Sequence, residues 1–315
     1  MTAYILKRLL FGVPVVFGVS ILVFLLMALV PGDPALALLG PYATDENVRQ
    51  LREQLALDAP LWERYGTWIA NLTQGNFGYA YSLERPVAEE LGERAGATLL
   101  LAGAAFLVCV LLGTAVGVVS AARQYSWTDR ILSLGVMVGI STPAFWLGLL
   151  FIVVFAVQLR WLPSGGMVSI DGGGSPLDIA RHLVLPALTL GFVAAAVVAR
   201  FVRTQMLEVL RQDYIRTARA KGISEKRVIL RHALRSGIVA TMPVLGLQAG
   251  FVIGGAVYVE TIFQWPGLGR MLVNAISQRD LLLVQGGVLV VAVAYVFVNL
   301  LADVVQHALD PRLKR

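Results

Sequence analysis

The chain has 315 residues, of which 57% are hydrophobic and 15% charged, with a formal charge of +6. Soluble domains run about 45–50% apolar and about 25% charged, so the composition disfavours two aqueous domains, and the long, nearly uncharged apolar runs have the distribution a bilayer demands. The single cysteine, Cys109, lies inside such a run, which excludes an internal disulfide and a thiolate metal cluster and leaves the compartment undecided.

A transmembrane helix needs about 20 mostly apolar residues. Six segments qualify, at roughly 9–30, 98–122, 131–157, 183–201, 238–259 and 281–302. The first follows Lys7 and Arg8 and precedes Ala35-Leu36-Ala37, which resembles a signal-peptide cleavage site. Its apolar stretch exceeds the 7–15 residues of a signal core, so it reads as a retained span.

The segment 31–97 then carries Asp33, Asp45, Glu46, Glu53, Asp58, Glu63, Glu84, Glu89, Glu90 and Glu93, with helical patches at 46–55 and 61–72. It is too long for a bare turn. The second span holds Gly113 and Gly117, and the fifth holds Gly246, Gly250 and Gly254. Four-residue spacing puts small residues on one face and lets helix backbones approach closely, either as static packing or as the moving surface of a gate. Pro143, Pro186 and Pro243 each remove a helix hydrogen bond, predicting local bends in the third, fourth and fifth spans.

Between the fourth and fifth spans lies 203–235, RTQMLEVLRQDYIRTARAKGISEKRVILRHALR. Met206, Leu207, Leu210, Tyr214 and Ile215 recur at helical spacing. Gly222 suits the left-handed turn that ends a helix, and Ser224 suits the cap of the next, in which Val228, Ile229 and Ala233 form an apolar stripe. The pattern is helix, glycine turn, helix at the membrane surface. Arg216, Arg219, Lys221, Lys226, Arg227 and Arg231 fit either a hairpin lying on anionic lipid or a docking surface for a soluble partner.

Positive residues near span ends are held on the cytoplasmic side. With the N-terminus inside, 17 of the 26 Lys and Arg residues are cytoplasmic. They are Lys7, Arg8, Arg123, Arg130, those from Arg200 to Arg235, Arg312, Lys314 and Arg315. Both termini therefore face the cytoplasm. Basic loops beside spans serve orientation, and no nucleic-acid partner is expected.

Glu260, Asp303 and Arg200 all lie near span ends. Ion-coupled carriers and channels usually place ionisable residues inside the membrane, so that class is disfavoured. The sequence holds no Gly-x-x-x-x-Gly-Lys-Ser/Thr phosphate loop, no His-Glu-x-x-His and no Gly-x-Ser-x-Gly, which removes the usual basis for an ATPase, a metalloprotease or a serine hydrolase. His182, His232 and His307 are scattered and do not read as a metal site. Ser141, Thr142, Thr189, Thr241, Gln248 and Asn299 are the polar span residues able to line a path or to bond a neighbouring backbone carbonyl.

The run Asp213-Tyr214-Ile215-Arg216-Thr217-Ala218-Arg219-Ala220-Lys221-Gly222, followed by Arg231-His232-Ala233-Leu234-Arg235, resembles the EAA loop of ABC-importer permeases of the dipeptide, oligopeptide and nickel type. Arg216, Thr217 and Ala218 fall at the E-A-A positions and Gly222 at the glycine, while Arg235 stands where a proline often sits. The likeness continues through Pro31-Gly32-Asp33-Pro34, Leu57-Asp58-Ala59-Pro60-Leu61, Arg85-Pro86-Val87 and Ser141-Thr142-Pro143-Ala144-Phe145-Trp146-Leu147-Gly148. Trp161-Leu162-Pro163, Glu260-Thr261-Ile262-Phe263, Trp265-Pro266-Gly267-Leu268-Gly269 and Asp310-Pro311-Arg312 extend it along nearly the whole chain, in the manner of the first permease subunit of such systems.

The resemblance implies an all-α polytopic protein of the bacterial cytoplasmic membrane, with a first span (1–30), an extracytoplasmic region (31–97) and a five-helix core (98–315) containing the coupling loop (203–237). It implies a second homologous permease, two cytoplasmic ATPase subunits and an extracytoplasmic binding protein as partners. ATP and magnesium belong to the ATPase subunits, and this chain holds no cofactor and is not an enzyme. The coupling contact falls on Asp213, Tyr214, Arg216, Thr217, Ala218, Arg219, Ala220, Lys221, Gly222, Ser224, Glu225 and Lys226. Dipeptides and oligopeptides are the implied cargo, with nickel or glutathione-like solutes as the alternative. Region 31–97 either receives the binding protein or only caps the helix ends.

Overall fold

The computed structural model describes residues 2–169 and 173–309; the Asp310-Pro311-Arg312 motif and the last three basic residues lie outside them. In chain order it comprises α1 (Thr2–Leu29), α2 (Pro34–Leu39), α3 (Asp45–Gln54), α4 (Leu61–Thr73), β1 (Tyr79–Ala80), β2 (Arg85–Pro86), α5 (Val87–Ala122), α6 (Trp127–Ser141), α7 (Ala144–Phe151), α8 (Pro176–Leu210), α9 (Asp213–Ala220), α10 (Glu225–Arg227), α11 (Leu234–Ile262), α12 (Leu268–Ser277) and α13 (Leu281–Leu309). The only β structure among the described residues is the antiparallel β1–β2 pair, with Tyr79 opposite Pro86 and Ala80 opposite Arg85.

Five helices among the described residues are long and apolar enough to cross a membrane: Ile5–Leu29, Val87–Ala122, Pro176–Leu210, Glu225–Ile262 and Leu281–Ala308. The pair Trp127–Ser141 and Ala144–Gln158 makes a sixth span if counted together, but it is bent by 109°. The segment read as the third span is therefore a bent helix pair, where hydropathy alone suggests one continuous helix. Proline explains the break: Pro143 has no N–H to give, and it forces Thr142 out of the helical region to φ −88°, ψ 124°. The Thr142 hydroxyl then closes α6 by donating to the Val138 carbonyl at 2.7 Å. Beyond α7 the chain widens into a π-helical turn over Ile152–Gln158. By contrast, α8 and α11 run on through Pro186 and Pro243.

The described residues pack as two units, one drawn from 1–98 and 266–296 and the other from 99–265 and 297–315; α5 and α13 each contribute to both. The first unit is centred on Val23, Phe24, Trp68, Leu91, Met271 and Leu283. Tyr65 sets its ring edge against Phe24 with centroids 5.3 Å apart and shares a 2.8 Å hydroxyl bond with Ser20. Tyr65→Phe is expected to keep the ring contacts and lose this bond, lowering stability in detergent by about 1 kcal/mol in a thermal unfolding series.

Two aspartates anchor helix starts in the first unit. Asp33 caps α2 by accepting from the Ala35 N–H at 2.9 Å, with Pro34 at the first helical position. It also receives Arg52 at 2.6 Å, and Arg52 reaches Asp58 as well. These two carboxylates hold the Arg52 guanidinium above its usual pKa range. Asp280 caps α13 through the Leu283 N–H and accepts from the Ser82 N–H and hydroxyl at 2.9 and 2.8 Å.

In the second unit α8 is the central helix, packed on α6, α7 and α11 and on α5. Close approach depends on glycine. A Cβ on Gly113 would lie 2.9 Å from the Ala195 carbonyl oxygen, one on Gly117 2.7 Å from that of Ala199, and one on Gly191 2.5 Å from that of Ala105. The α5 glycines thus serve tight packing. The α11 set differs: Gly246 faces Ala302, but a Cβ on Gly254 would meet nothing within 4 Å.

Candidate functional site: a cytoplasmic hairpin and a bent span

The hairpin starts where α8 ends at Arg211. Helix α9 follows after Gln212 and buries Ile215 and Ala218 while exposing its other residues. Its end is a left-handed turn: Gly222 has φ +75°, its N–H reaches the Arg219 carbonyl at 2.9 Å, and the Ile223 N–H reaches the Ala218 carbonyl at 3.3 Å. Glycine takes that conformation without strain, and asparagine tolerates it best among the others.

Ser224 occupies the cap position of α10, but its side chain makes no capping bond; only its carbonyl accepts, from Arg227 and Val228. Nor is the second arm a separate helix. After α10 the chain passes through a π-helical turn over Val228–Ala233 straight into α11. The hairpin therefore sits at the end of the fifth span, with Val228 and Ala233 buried beneath it.

Arg219 closes the hairpin with a two-pronged bond to Glu225, at 3.0 and 2.6 Å, which holds its guanidinium above the ordinary pKa range. Asp213 takes Arg216 at 3.3 Å and its carbonyl accepts from the Thr217 hydroxyl at 3.0 Å. Tyr214 donates to Ser236 at 3.2 Å. Thus Arg219, Glu225 and Tyr214 are engaged in bracing the hairpin. Arg216, Thr217, Ala220, Lys221, Gly222 and Lys226 are exposed. Ala218 is the exception among the coupling candidates: only 7% exposed, it faces inward and supports the hairpin.

The polar span residues do not form one cluster. Thr189 and Thr241 are fully buried, and their hydroxyls donate to the Leu185 and Gly237 carbonyls at 2.8 and 2.9 Å, which is how a hydroxyl satisfies itself within its own helix. Asn299 and Gln248 are half-buried on α13 and α11. Ser141 and Thr142 lie at the bend, Ser141 exposed. Near the bend is a hollow of about 390 Å³ lined by Ala144, Phe145, Phe251, Gly254 and Tyr258, and this is what the bare face of Gly254 borders.

Sequence reading missed Asp129 altogether. It is 4% exposed and takes Arg203 in two bonds of 2.9 Å. In sequence it reads as an ordinary first-turn acid after the Ser126 cap, and Arg203 as one more cytoplasmic charge.

Long apolar helices with a braced, largely exposed basic hairpin between the fourth and fifth of the segments read as spans define a polytopic membrane protein. The chain belongs to the binding-protein-dependent transport system inner membrane component family, whose model matches residues 113–315, with the N-terminal model of the same family matching 1–102. It is 42% identical over 314 residues to the glutathione transport system permease protein GsiC of Escherichia coli K12, covering all of this chain and 99% of that one. The corresponding protein of Shigella flexneri serotype 5b is 41% identical over the same span. Among solved structures, two crystal forms of the inward-facing MetNI methionine ABC transporter match with TM-scores of 0.56 and 0.59 at 16% identity, over 70% of this chain and 96% of theirs, a likeness of fold. The protein is a multi-pass transmembrane permease subunit of an ABC importer, a transport component without ATPase activity of its own.

Proposed function

We propose that this permease pairs with a second, homologous permease in the bacterial cytoplasmic membrane to enclose a path for dipeptides and short oligopeptides, and that two ATPase subunits drive it through residues 213–226. The observation that carries this reading is the braced hairpin: a fixed glycine turn, an Arg219–Glu225 fork and buried Ile215, Ala218 and Val228 present Arg216, Lys221 and Lys226 on a rigid frame. ATP bound in the partner subunits shifts the helices only if its interaction energy differs between their states, and a rigid handle transmits such a difference where a loose loop does not. An extracytoplasmic binding protein delivers the solute to region 31–97, and the bend at Thr142 with the hollow beside Phe251 and Tyr258 lies on the path.

A second cargo reading, glutathione or a similar small γ-linked peptide, is favoured by the full-length 42% identity to a glutathione permease. Both are tested together. Purified by a tag on this chain, the complex is expected to bring a second permease and two ATPase chains, and in vesicles to import labelled dipeptide or glutathione only with ATP inside and binding protein outside. A tagged chain that comes out of the membrane without ATPase subunits ends the coupling reading; uptake of only one solute decides the cargo.

A further inference from the structure

The cytoplasmic ends of α5, α6 and α8 meet in an ionic cluster whose carboxylate is buried and whose arginine is half-buried. Arg203 of α8 donates through Nε and Nη2 to the two carboxylate oxygens of Asp129 on α6, both at 2.9 Å, and its Nε also reaches the Ser120 hydroxyl of α5 at 3.0 Å. Ser120 donates to Asp129 as well, as do the Tyr125 N–H at 3.0 Å and the Ser133 hydroxyl at 3.3 Å. Ser120 and Asp129 are 2% and 4% exposed. Three helices and the α5–α6 turn are thereby tied through one carboxylate with every oxygen occupied.

Its position matters more than its strength. Arg203 lies seven residues before Leu210, the last residue of α8, which is about two turns or roughly 10 Å from the start of the hairpin. From Asp129, α6 runs directly to the bend at Thr142. Packing alone does not need a charge here, because Gly117 already brings α5 onto α8 and Gly139 of α6 lies against Ala196 of α8. Apolar residues of similar volume often replace a buried ion pair without loss of stability, and this pair, with Arg203 only half-buried, has still less need of its charge for stability. What they do not reproduce is the planar fork, which fixes orientation as well as distance.

We infer that the Asp129–Arg203 pair is a positioning element for transport, locking α6 to the hairpin-bearing helix so that motion of residues 213–226 reaches the bent third span. The inference rests on the coupling role proposed above. The role is one of positioning, with both residues acting through α6 and α8.

The test uses the full complex in proteoliposomes with labelled dipeptide and glutathione as cargo, and reads ATP hydrolysed per solute imported. The double variant Asp129→Leu/Arg203→Leu is expected to assemble in normal yield and hydrolyse ATP, but to consume at least fivefold more ATP per solute. Arg203→Lys keeps the charge, loses the fork and is expected to fall between. A wild-type ratio in the double variant overturns the inference, and if that variant does not assemble, a wild-type ratio in Arg203→Lys does so. Cross-linking from Lys221→Cys to the ATPase subunit separates the two readings. No cross-link in the otherwise native complex defeats the docking of the hairpin, whereas a cross-link with an unchanged ratio defeats only the role of the pair.

Discussion

Gly222→Val is expected to reduce ATP-driven uptake at least tenfold while the protein still inserts in the membrane and reaches normal levels. Gly222 sits at φ +75°, where a β-branched residue is strained by about 1–3 kcal/mol. The turn relieves that strain by leaving the left-handed region, and the Ile223-to-Ala218 and Gly222-to-Arg219 backbone bonds go with it. Some 1.4 kcal/mol is a tenfold change in an equilibrium, so the strain is large enough to displace α9 from its braced position. A Cβ at Gly222 meets nothing within 4 Å, so the effect comes from backbone conformation and not from collision. That makes a sharp contrast available: Gly222→Asn, which tolerates the left-handed region, is expected to retain uptake within about twofold. Uptake in reconstituted vesicles at matched protein amounts checks both. Equal activity of the valine and asparagine variants removes the fixed angle of the hairpin from the mechanism.

Hydropathy is sufficient to find the five long membrane-crossing helices and the bent pair, because the bilayer imposes length and polarity on each segment separately. It could not give direction, and so the 109° bend at Thr142–Pro143 was readable only as a proline able to cause one. It also set the ends of spans too narrowly. Helix α5 begins at Val87 and not near 98, since Glu89, Glu90, Glu93, Arg85 and Arg94 satisfy one another: Glu90 takes Arg85 at 3.0 Å and Arg94 at 2.6 Å. A charged turn reads as loop when its partners are invisible. The hairpin was legible at Gly222, whose turn chemistry is local, and less so at Ala218 and Ser224, whose side-chain roles depend on what lies beneath. Asp129 and Arg203 are 74 residues apart, and no single-sequence pattern joins them. Likewise the four-residue glycine spacing reads the same in α5 and α11, although Gly113 and Gly117 meet a helix and Gly254 meets open space.

Replacing Gly191 with valine is expected to remove folded permease from the membrane. At this crossing each helix contributes glycine to the other. A Cβ on Gly191 of α8 would stand 2.5 Å from the Ala105 carbonyl oxygen and 2.7 Å from the Val108 Cβ, while on α5 a Cβ at Gly113 would stand 2.8 Å from the Val198 Cβ and one at Gly117 2.6 Å from that of Val202. The blocking atoms are backbone oxygens and Cβ atoms, which do not rotate aside, so the axes themselves must separate. Separation strips contact from Val198, Ala199 and Val202, all nearly fully buried, and in lipid that contact is the main force joining the helices. Overpacking usually costs about 1–3 kcal/mol where side chains absorb it; here it is expected to exceed about 3 kcal/mol. Gly135→Ala on α6, where a Cβ meets nothing within 4 Å, serves as the control and is expected to leave stability unchanged or slightly raised through better helix propensity. Size-exclusion recovery of the detergent-solubilised protein across a temperature series measures the difference. A melting curve for Gly191→Val that overlays that of Gly135→Ala would show that α5 and α8 do not rely on this close approach.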